Sequence, residues 1–255
     1  MIKRFLCTAV LALGVIAAPA RFAAQGEPVQ LISSNGVKPA VQALALPAEA
    51  AIAHPLAMQF NTTVSLRQRI AAGESFDVAI LTAEAIDALI KEGKIVARSR
   101  ADVGSVGIGV GVRAGAAKPD IRTVDAMKRT LLNAKSITYA QDGASRQYIE
   151  KMVNELGIAE SVKPKTLLRQ GSDASNASVA SGEAELVITL TSEIMPAPGV
   201  ELVGPLPAKF QNVVRFAAGV SVNAKNADAA NALVKFLSSP KVAPTFKAKG
   251  IQTAN

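Results

Sequence analysis

Short apolar runs alternate with helical patterns over most of the chain, and this alternation restricts the possible folds more than any other feature. The first run, VQLIS at residues 29–33, ends in the small polar stretch SSNG, and a helical pattern follows at once. Similar runs recur at residues 56–61, 76–81 and 136–141. Strands separated by helices form parallel sheets that are covered by those helices. The pattern predicts an α/β fold with mixed, mainly parallel sheets flanked by helices.

The segments between these runs carry start and stop signals for helices. The first helix is expected from about Val37 to Ala51, with Pro47 kinking or shortening it. Thr82 is expected to cap a later helix, and Gly93 to stop it. Further helices are predicted at residues 63–73, 123–134, 143–157, 173–183 and 227–239. Further strands are predicted at residues 163–170, 184–191 and 213–223, and the proline-rich stretch 195–210 is expected to be a connection.

A glycine-rich run, GSVGIGVGVRAG at residues 104–115, has a different texture. Its glycines alternate with valine and isoleucine at period two, so one strand face is apolar and the other is bare backbone. The glycine spacing does not fit a dinucleotide-binding turn. Glycines along one face indicate the close approach of another backbone or of a ligand, as expected for a strand that runs between two lobes.

The order of these units predicts two α/β lobes, of which one is discontinuous. Residues 25–104 and 224–255 are expected to form lobe 1, and residues 105–223 lobe 2. Strands at about 105–112 and 213–222 are expected to cross between the lobes and act as a hinge.

The first 24 residues have the layout of a secretory signal peptide. A basic start, MIKR, precedes an apolar segment that runs to Ala18, and APA at residues 18–20 is a small-x-small cleavage signal. Cleavage is expected between residues 20 and 24, which predicts a periplasmic protein. The only cysteine, Cys7, lies in this segment, so the exported protein is expected to contain no disulfide.

Charge and residue usage argue against several classes of function. The formal net charge is +8, and residues 214–255 carry six basic residues and one acidic residue. These lysines are spread out without clustered aromatics or arginines, which favours a solvated helix face over a nucleic-acid site. His54 is the sole histidine, and no G-x-S-x-G motif accompanies any serine. Asp77, Glu84 and Asp142 show no distinctive spacing. We therefore expect no catalytic residue, metal or cofactor.

Three strand-to-helix turns carry small hydrogen-bonding residues, and they are the candidate binding site. In an α/β fold these turns lie at the carboxyl ends of strands, where ligands bind. Free N–H groups and the helix dipole favour an anion there. The alternative for each turn is a plain helix cap. The turns comprise Ser33, Ser34 and Asn35; Asn61, Thr62 and Thr63; and Gly143, Ala144 and Ser145.

Three further side chains are candidates near these turns. Arg146 lies in the first turn of a predicted helix, where it binds a ligand carboxylate through two parallel hydrogen bonds. The alternative is that it points outward to water or pairs with Glu150 one turn on. Tyr139 ends a strand near the same loop and either lines the cleft or belongs to the core. Lys38 follows the first turn and either contacts the ligand or points outward to solvent.

Four stretches resemble the molybdate-binding, ModA-like group of periplasmic solute-binding proteins of ABC importers. They are ISSNGVKPAVQALA, QDGASRQYIEKMVNELGIAESVKPK, ALVKFLSSPKVAPTFKAKGI and, more weakly, VASGEAELVIT, and they occur in the order of that family. The chain departs from the family at Asn61-Thr62-Thr63, where a serine-rich turn is usual, and at Thr82-Ala83, where an acidic or small residue is common. Thr82 keeps its hydrogen-bonding capacity and joins the candidate ligand residues.

The resemblance implies a type II periplasmic binding protein fold that closes two lobes on a small anion. The anion would be a molybdate-type oxyanion or a small organic carboxylate, passed on to the membrane permease of an ABC importer. It also implies a monomer that acts without nucleic acid. The alternative is a secreted enzyme or ligand-sensing protein that reuses the fold, because a fold does not fix a function.

Overall fold

The computed structural model describes residues 26–253, so the whole predicted signal peptide, residues 1–24 with its cleavage site, lies outside the described residues. Within this range the strands are β1 Val29–Ser34, β2 Leu56–Asn61, β3 Val78–Thr82, β4 Ala101–Arg113, β5 Ile137–Ala140, β6 Thr166–Arg169, β7 Leu186–Leu190, β8 Val200–Pro205 and β9 Val213–Val220. The helices are α1 Lys38–Ala43, α2 Ala45–Ile52, α3 Thr63–Ala71, α4 Ala83–Lys91, α5 Val124–Asn133, α6 Arg146–Glu155, α7 Ala159–Val162, α8 Gly171–Ser181, α9 Thr191–Ile194, α10 Ala227–Leu237 and α11 Ala243–Ala248.

The first lobe is built on a sheet with the strand order β2-β1-β3-β9-β4. β1 lies between β2 and β3, and both pairings are parallel. β9 then runs antiparallel to β3 on one side and to residues 101–107 of β4 on the other. The parallel strands therefore present the ends of β1, β2 and β3 at one edge of the sheet.

The second lobe is built on the other half of β4. Residues 108–113 of this strand lie between β7 and β8, and both pairings are antiparallel. β5 lies between β6 and β7, in parallel with both. The α/β prediction is confirmed, and the antiparallel pairings all involve β4 or β9. The lobe boundaries themselves stay a prediction, with residues 101–107 and 213–220 paired together in the first sheet.

The glycines of β4 are approached closely by neighbouring elements, as the sequence predicts. A Cβ atom added at Gly109 would lie 2.9 Å from the backbone oxygen of Gly204. One added at Gly111 would lie 2.8 Å from Cγ1 of Val187. These distances are shorter than carbon contacts allow, so only glycine lets β8 and β7 pack this tightly against the strand that joins the lobes.

One sequence expectation needs correction, and another is confirmed. The stretch 195–210 is not only a connection, because it contains β8, which ends at Pro205 and pairs with one side of β4. Proline is tolerated at such a strand end because its missing N–H is not needed there. The first predicted helix is broken at Leu44 into α1 and α2, with Pro47 in the first turn of α2. Pro47 has no N–H to donate to the carbonyl oxygen of Ala43, the last residue of α1, so the shortening expected from Pro47 is confirmed and falls in the preceding turn.

The core contains the strands of both sheets, and a buried carboxylate ties the C-terminal segment to the first sheet. Leu31, Val78 and Ile80 are fully buried in the first sheet. Asp77 is 3% exposed and accepts hydrogen bonds from the backbone N–H groups of Gln30 and Lys225, both at 2.7 Å. Asp77 is thus a structural residue. Between residues 26 and 253, no helix has both the length and the apolar character needed to cross a membrane.

Candidate functional site

The first-lobe wall of the candidate site is a hydrogen-bonded set of hydroxyl groups at the strand ends. Ser33, Ser34 and Thr63 are buried. The Thr63 hydroxyl donates to Oγ of Ser34 at 3.3 Å and accepts from the backbone N–H of Thr82 at 3.3 Å. The ends of β1 and β3 and the start of α3 are therefore linked through side chains predicted from the sequence.

The cap alternative for these turns is realised at only one of them. Thr62 caps α3, because its hydroxyl accepts from the backbone N–H of Ser65 at 3.2 Å. Asn61 accepts from the N–H of Thr62 at 2.8 Å. Ser34 and Thr82 stand at N-cap positions, but neither hydroxyl makes a capping bond. The predicted position of Thr82 at the start of α4 is confirmed, but its hydroxyl makes no capping bond. Thr82 is also the last residue of β3 and pairs with β9.

The second-lobe wall is formed by the loop between β5 and α6 and by the start of α8. Gly143 and Ala144 lie half-buried in this loop, and Ser145 is buried at the N-cap position of α6. The same loop carries Asp142, whose Oδ1 accepts from the backbone N–H of Gly171 at 3.0 Å. Ser145 makes no side-chain capping bond. The helix α6 begins at Arg146, three residues after its predicted start.

Polar side-chain contacts join the two lobes beside this site. The Thr62 hydroxyl donates to Oδ2 of Asp142 at 2.7 Å. Nζ of Lys38 lies 3.1 Å from Oδ2 of Asp173. The buried hydroxyl of Ser192 donates to the backbone oxygen of Gly36 at 2.6 Å. The predicted turns of the two lobes therefore face each other across a closed cleft.

A cavity of about 440 Å³ lies at this cleft and includes residues from both lobes. Arg146 lines it, but its guanidinium donates to Glu150 at 2.7 Å and to the backbone oxygen of Gln141 at 2.6 Å. The Glu150 carboxylate thereby raises the pKa of Arg146 above its ordinary value. Arg215 also lines the cavity and is exposed, and its guanidinium forms no hydrogen bond or ion pair within residues 26–253.

The structure places Tyr139 apart from the other predicted residues. It lines a different cavity, of about 350 Å³, together with residues of α5 and α6 such as Leu131 and Ile149. Burial raises the pKa of its phenol, as does the nearby Glu150 carboxylate. This position agrees with the core alternative that the sequence left open for Tyr139.

A second interlobe cavity, of about 640 Å³, is lined by Asn35 and Lys38 from the first lobe and by Asn176 and Glu193 from the second. Asn35 is 8% exposed, so the last residue of the first predicted turn lies at this cavity. Burial raises the pKa of the Glu193 carboxyl, although the hydroxyl of Thr189 donates a hydrogen bond to it.

Sequence reasoning missed two charged residues of the site. The spacing of Asp142 to other acids is not distinctive, but Asp142 lies two residues after the end of β5, and this position at a strand end is a usable signal. Arg215 is a single charge in the apolar strand VVRFAAGV. An isolated arginine in such a strand has to reach solvent or a cavity. That signal was also available.

Other titratable groups offer no metal site or clear triad in the described part of the chain. No group of three or more His, Cys, Asp or Glu side chains that could hold a metal ion occurs between residues 26 and 253. Nε2 of His54 lies 2.9 Å from Nδ2 of Asn226, and its Nδ1 lies 3.3 Å from the backbone oxygen of Glu27. His54 therefore joins the start of β2 to the start of α10.

Comparison with known proteins gives one family and several structural neighbours. The sequence profile of the family described as bacterial extracellular solute-binding protein matches residues 29–252. Among curated proteins, an aconitate isomerase from a Pseudomonas species is 31% identical over 193 residues, which are 75% of this chain and 73% of that protein.

Solved structures agree with this family in fold. The periplasmic molybdate-binding protein of Azotobacter vinelandii superposes with a TM-score of 0.74 and 16% identity, covering 89% of this chain and 100% of that one. The sulfate-binding protein of Mycobacterium tuberculosis gives a TM-score of 0.73 and 16% identity, with 90% and 88% covered. The likeness in fold to the molybdate-binding group is therefore confirmed, and with it the two-lobe fold.

Proposed function

The chain belongs to the bacterial extracellular solute-binding proteins, and from this premise we propose that it captures a small anion between its two lobes and delivers it to an ABC importer. One observation carries the proposal. Turns from both lobes meet in one cleft, where Thr62 and Asp142 lie 2.7 Å apart. A solute that enters such a cleft is enclosed by both lobes when they close, which is a known form of ligand-driven hinge motion.

The chemistry of the cleft supports an anionic solute. Its first-lobe wall is made of buried hydroxyls and of the N-terminus of α3, which suit an anion without the need for a full positive charge. Its cavity adds the guanidinium groups of Arg146 and Arg215. Guanidinium binds a carboxylate through two parallel hydrogen bonds. Both an oxyanion and an organic carboxylate fit this set of donors.

The proposed location is the periplasm, and the proposed partner is the permease of an importer. The signal-peptide pattern of residues 1–24 and the family both support export. The resemblance to solute-binding proteins of importers supports delivery. Genes for a permease and an ATPase beside this gene would agree with it, and transport that is unaffected by deletion of this gene would not.

Calorimetric titration tests the binding proposal. The purified protein would be titrated with molybdate, tungstate, sulfate and a panel of di- and tricarboxylates, and at least one should bind at one site per chain. Arg215→Ala should weaken the binding of a carboxylate at least tenfold. Arg122→Ala is the matched control, because Arg122 is an exposed arginine that pairs with Asp120 and does not line the cavity. No binding to any anion of the panel would refute the proposal.

A second candidate function is isomerisation of an unsaturated carboxylic acid. The relative named aconitate isomerase favours it, at 31% identity over three quarters of the chain. The cavity contains acidic side chains, among them Asp142 and Glu84, that can take up or release a proton. Proton NMR of cis- or trans-aconitate incubated with the protein distinguishes the two functions. Conversion of one isomer into the other at a rate that depends on protein concentration would establish turnover. Recovery of the unchanged acid would leave anion capture as the proposed function.

A further inference from the structure

A carboxylate of the protein already occupies the place between two helix N-termini at the cleft. Oδ1 of Asp142 accepts from the N–H of Gly171, the first residue of α8, at 3.0 Å. Its Oδ2 accepts from the hydroxyl of Thr62, the cap of α3, at 2.7 Å. Nε2 of Gln170 lies 3.5 Å from the same oxygen. Donors from both lobes therefore converge on this side chain.

An anion bound between α3 and α8 would have to share or displace these donors. Thr62 is 5% exposed and Asp142 is partly buried. Like charges a few Å apart repel strongly where solvent is scarce, and the repulsion doubles for a dianion. A tetrahedral dianion is compact, so it cannot place its charge far from the Asp142 carboxylate while it uses the same donors.

The adjoining cavity offers another place for negative charge. Its volume of about 440 Å³ falls within the roughly 300–1,000 Å³ of pockets that hold small organic molecules. Arg215 lines this cavity, and its guanidinium has no hydrogen-bond or ion-pair partner in the described residues 26–253. An organic carboxylate bound by Arg215 leaves the Thr62 and Gly171 donors to Asp142, whereas an oxyanion held by those donors has to displace the Asp142 carboxylate from them.

We propose that Asp142 is a specificity-determining residue that excludes tetrahedral dianions from the cleft, so that the solute is an organic carboxylate whose charge is bound by Arg215. This inference rests on the proposed function, since it assumes that the cleft binds an anion. It assigns to Asp142 a part in selection that is separate from its local hydrogen bond to Gly171.

The test compares the wild type with Asp142→Asn. Asparagine keeps an oxygen that can accept from the N–H of Gly171, so the loop should retain its fold, which thermal unfolding would verify. Calorimetry would be run with sulfate, molybdate and the organic carboxylate that binds the wild type most tightly. Asp125→Asn is the matched control, because it makes the same change at an exposed residue of α5 that does not line the cavity.

The expected result is that the wild type binds the organic carboxylate and neither oxyanion. Asp142→Asn should bind sulfate or molybdate at least tenfold more tightly than the wild type, whereas Asp125→Asn should change oxyanion binding less than threefold. Wild-type binding of an oxyanion with an affinity unchanged in Asp142→Asn would overturn the inference and leave anion capture standing. Absence of binding to every anion, in the wild type and in both variants, would overturn the inference and the proposed function together.

Discussion

Replacing Gly36 with alanine should destabilise the protein because this glycine lies where the two lobes meet. A Cβ atom at Gly36 would lie 2.4 Å from Cζ of Phe216 and 2.7 Å from Cδ1 of Leu190. Phe216 belongs to β9 of the first sheet and is 0% exposed, and Leu190 ends β7 of the second sheet and is 2% exposed. Neither side chain has free space into which it can retreat, so the added methyl group forces the surrounding core to shift.

The size of the effect follows from this geometry. Overpacking a well-packed core costs about 1–3 kcal/mol, and both contacts are well inside van der Waals separation. The backbone of Gly36 is not at positive φ, so alanine brings no conformational strain that would confuse the result. For a chain of this size, each kcal/mol corresponds to a loss of about 2–4 °C in Tm. We expect Gly36→Ala to lower the free energy of unfolding by about 1–3 kcal/mol.

Urea unfolding followed by circular dichroism would measure this loss. Gly204→Ala is the control, because the nearest atom to its added Cβ is Cδ1 of Ile121 at 3.9 Å, and its effect should stay within about 0.5 kcal/mol. In the Phe216→Leu background the clashing ring atoms are absent, so the penalty of Gly36→Ala should shrink. An unchanged midpoint for Gly36→Ala, or a penalty that Phe216→Leu does not reduce, would refute the steric argument.

Three further changes test other parts of the account. Thr62→Val removes the cap of α3 and the donor to Asp142, so the free energy of unfolding in urea should fall by about 1 kcal/mol or more. Thr62→Ser should keep most of that stability, and equal losses in the two variants would contradict the role of the hydroxyl. Lys38→Met breaks the ion pair with Asp173, whose side chains are 31% and 74% exposed. The free energy of unfolding should therefore change by less than about 1 kcal/mol, and Asp173→Asn should change it by a similar amount. A much larger loss of stability in either variant would contradict a solvent-exposed ion pair. Burial raises the folded-state pKa of Glu193 above its ordinary value of 4.5, so the wild type should lose stability as the pH rises above that value. The Tm of Glu193→Gln should depend less on pH between pH 4 and 8. Parallel curves of Tm against pH for the two proteins would contradict the raised pKa of Glu193.

The sequence predicts most strands and helices, and the polar turns at the strand ends, because local chemistry decides both. Alternating apolar runs and glycine stops locate most strands and helices, as at β2, whose observed bounds equal the predicted ones. The SSNG turn and the pair Thr62-Thr63 are placed by the parallel order of β1, β2 and β3, which brings their carboxyl ends together. Once the alternation of strands and helices predicts a parallel sheet, that step needs no knowledge of contacts between distant side chains.

The parts that the sequence could not predict depend on contacts between distant segments. Asp142 acquires its place from Thr62, which is 80 positions away, and from Gly171, which is 29 away. β8 forms because the bare glycine face of β4 admits its backbone near Gly204, and the prolines around it obscured the strand. The choice for Arg146 between solute and Glu150 is likewise set by side-chain packing that one sequence does not reveal.

Hydrogen exchange with and without the tightest-binding anion tests most directly whether the solute is held between the two lobes. Ligand that closes both lobes should slow exchange in peptides from each wall, at residues 33–36 and 62–66 of the first lobe and at residues 141–147 and 171–176 of the second. The account predicts protection on both sides in the same titration, saturating at one anion per chain. Protection of one lobe alone, or of segments outside these turns, would contradict an interlobe site.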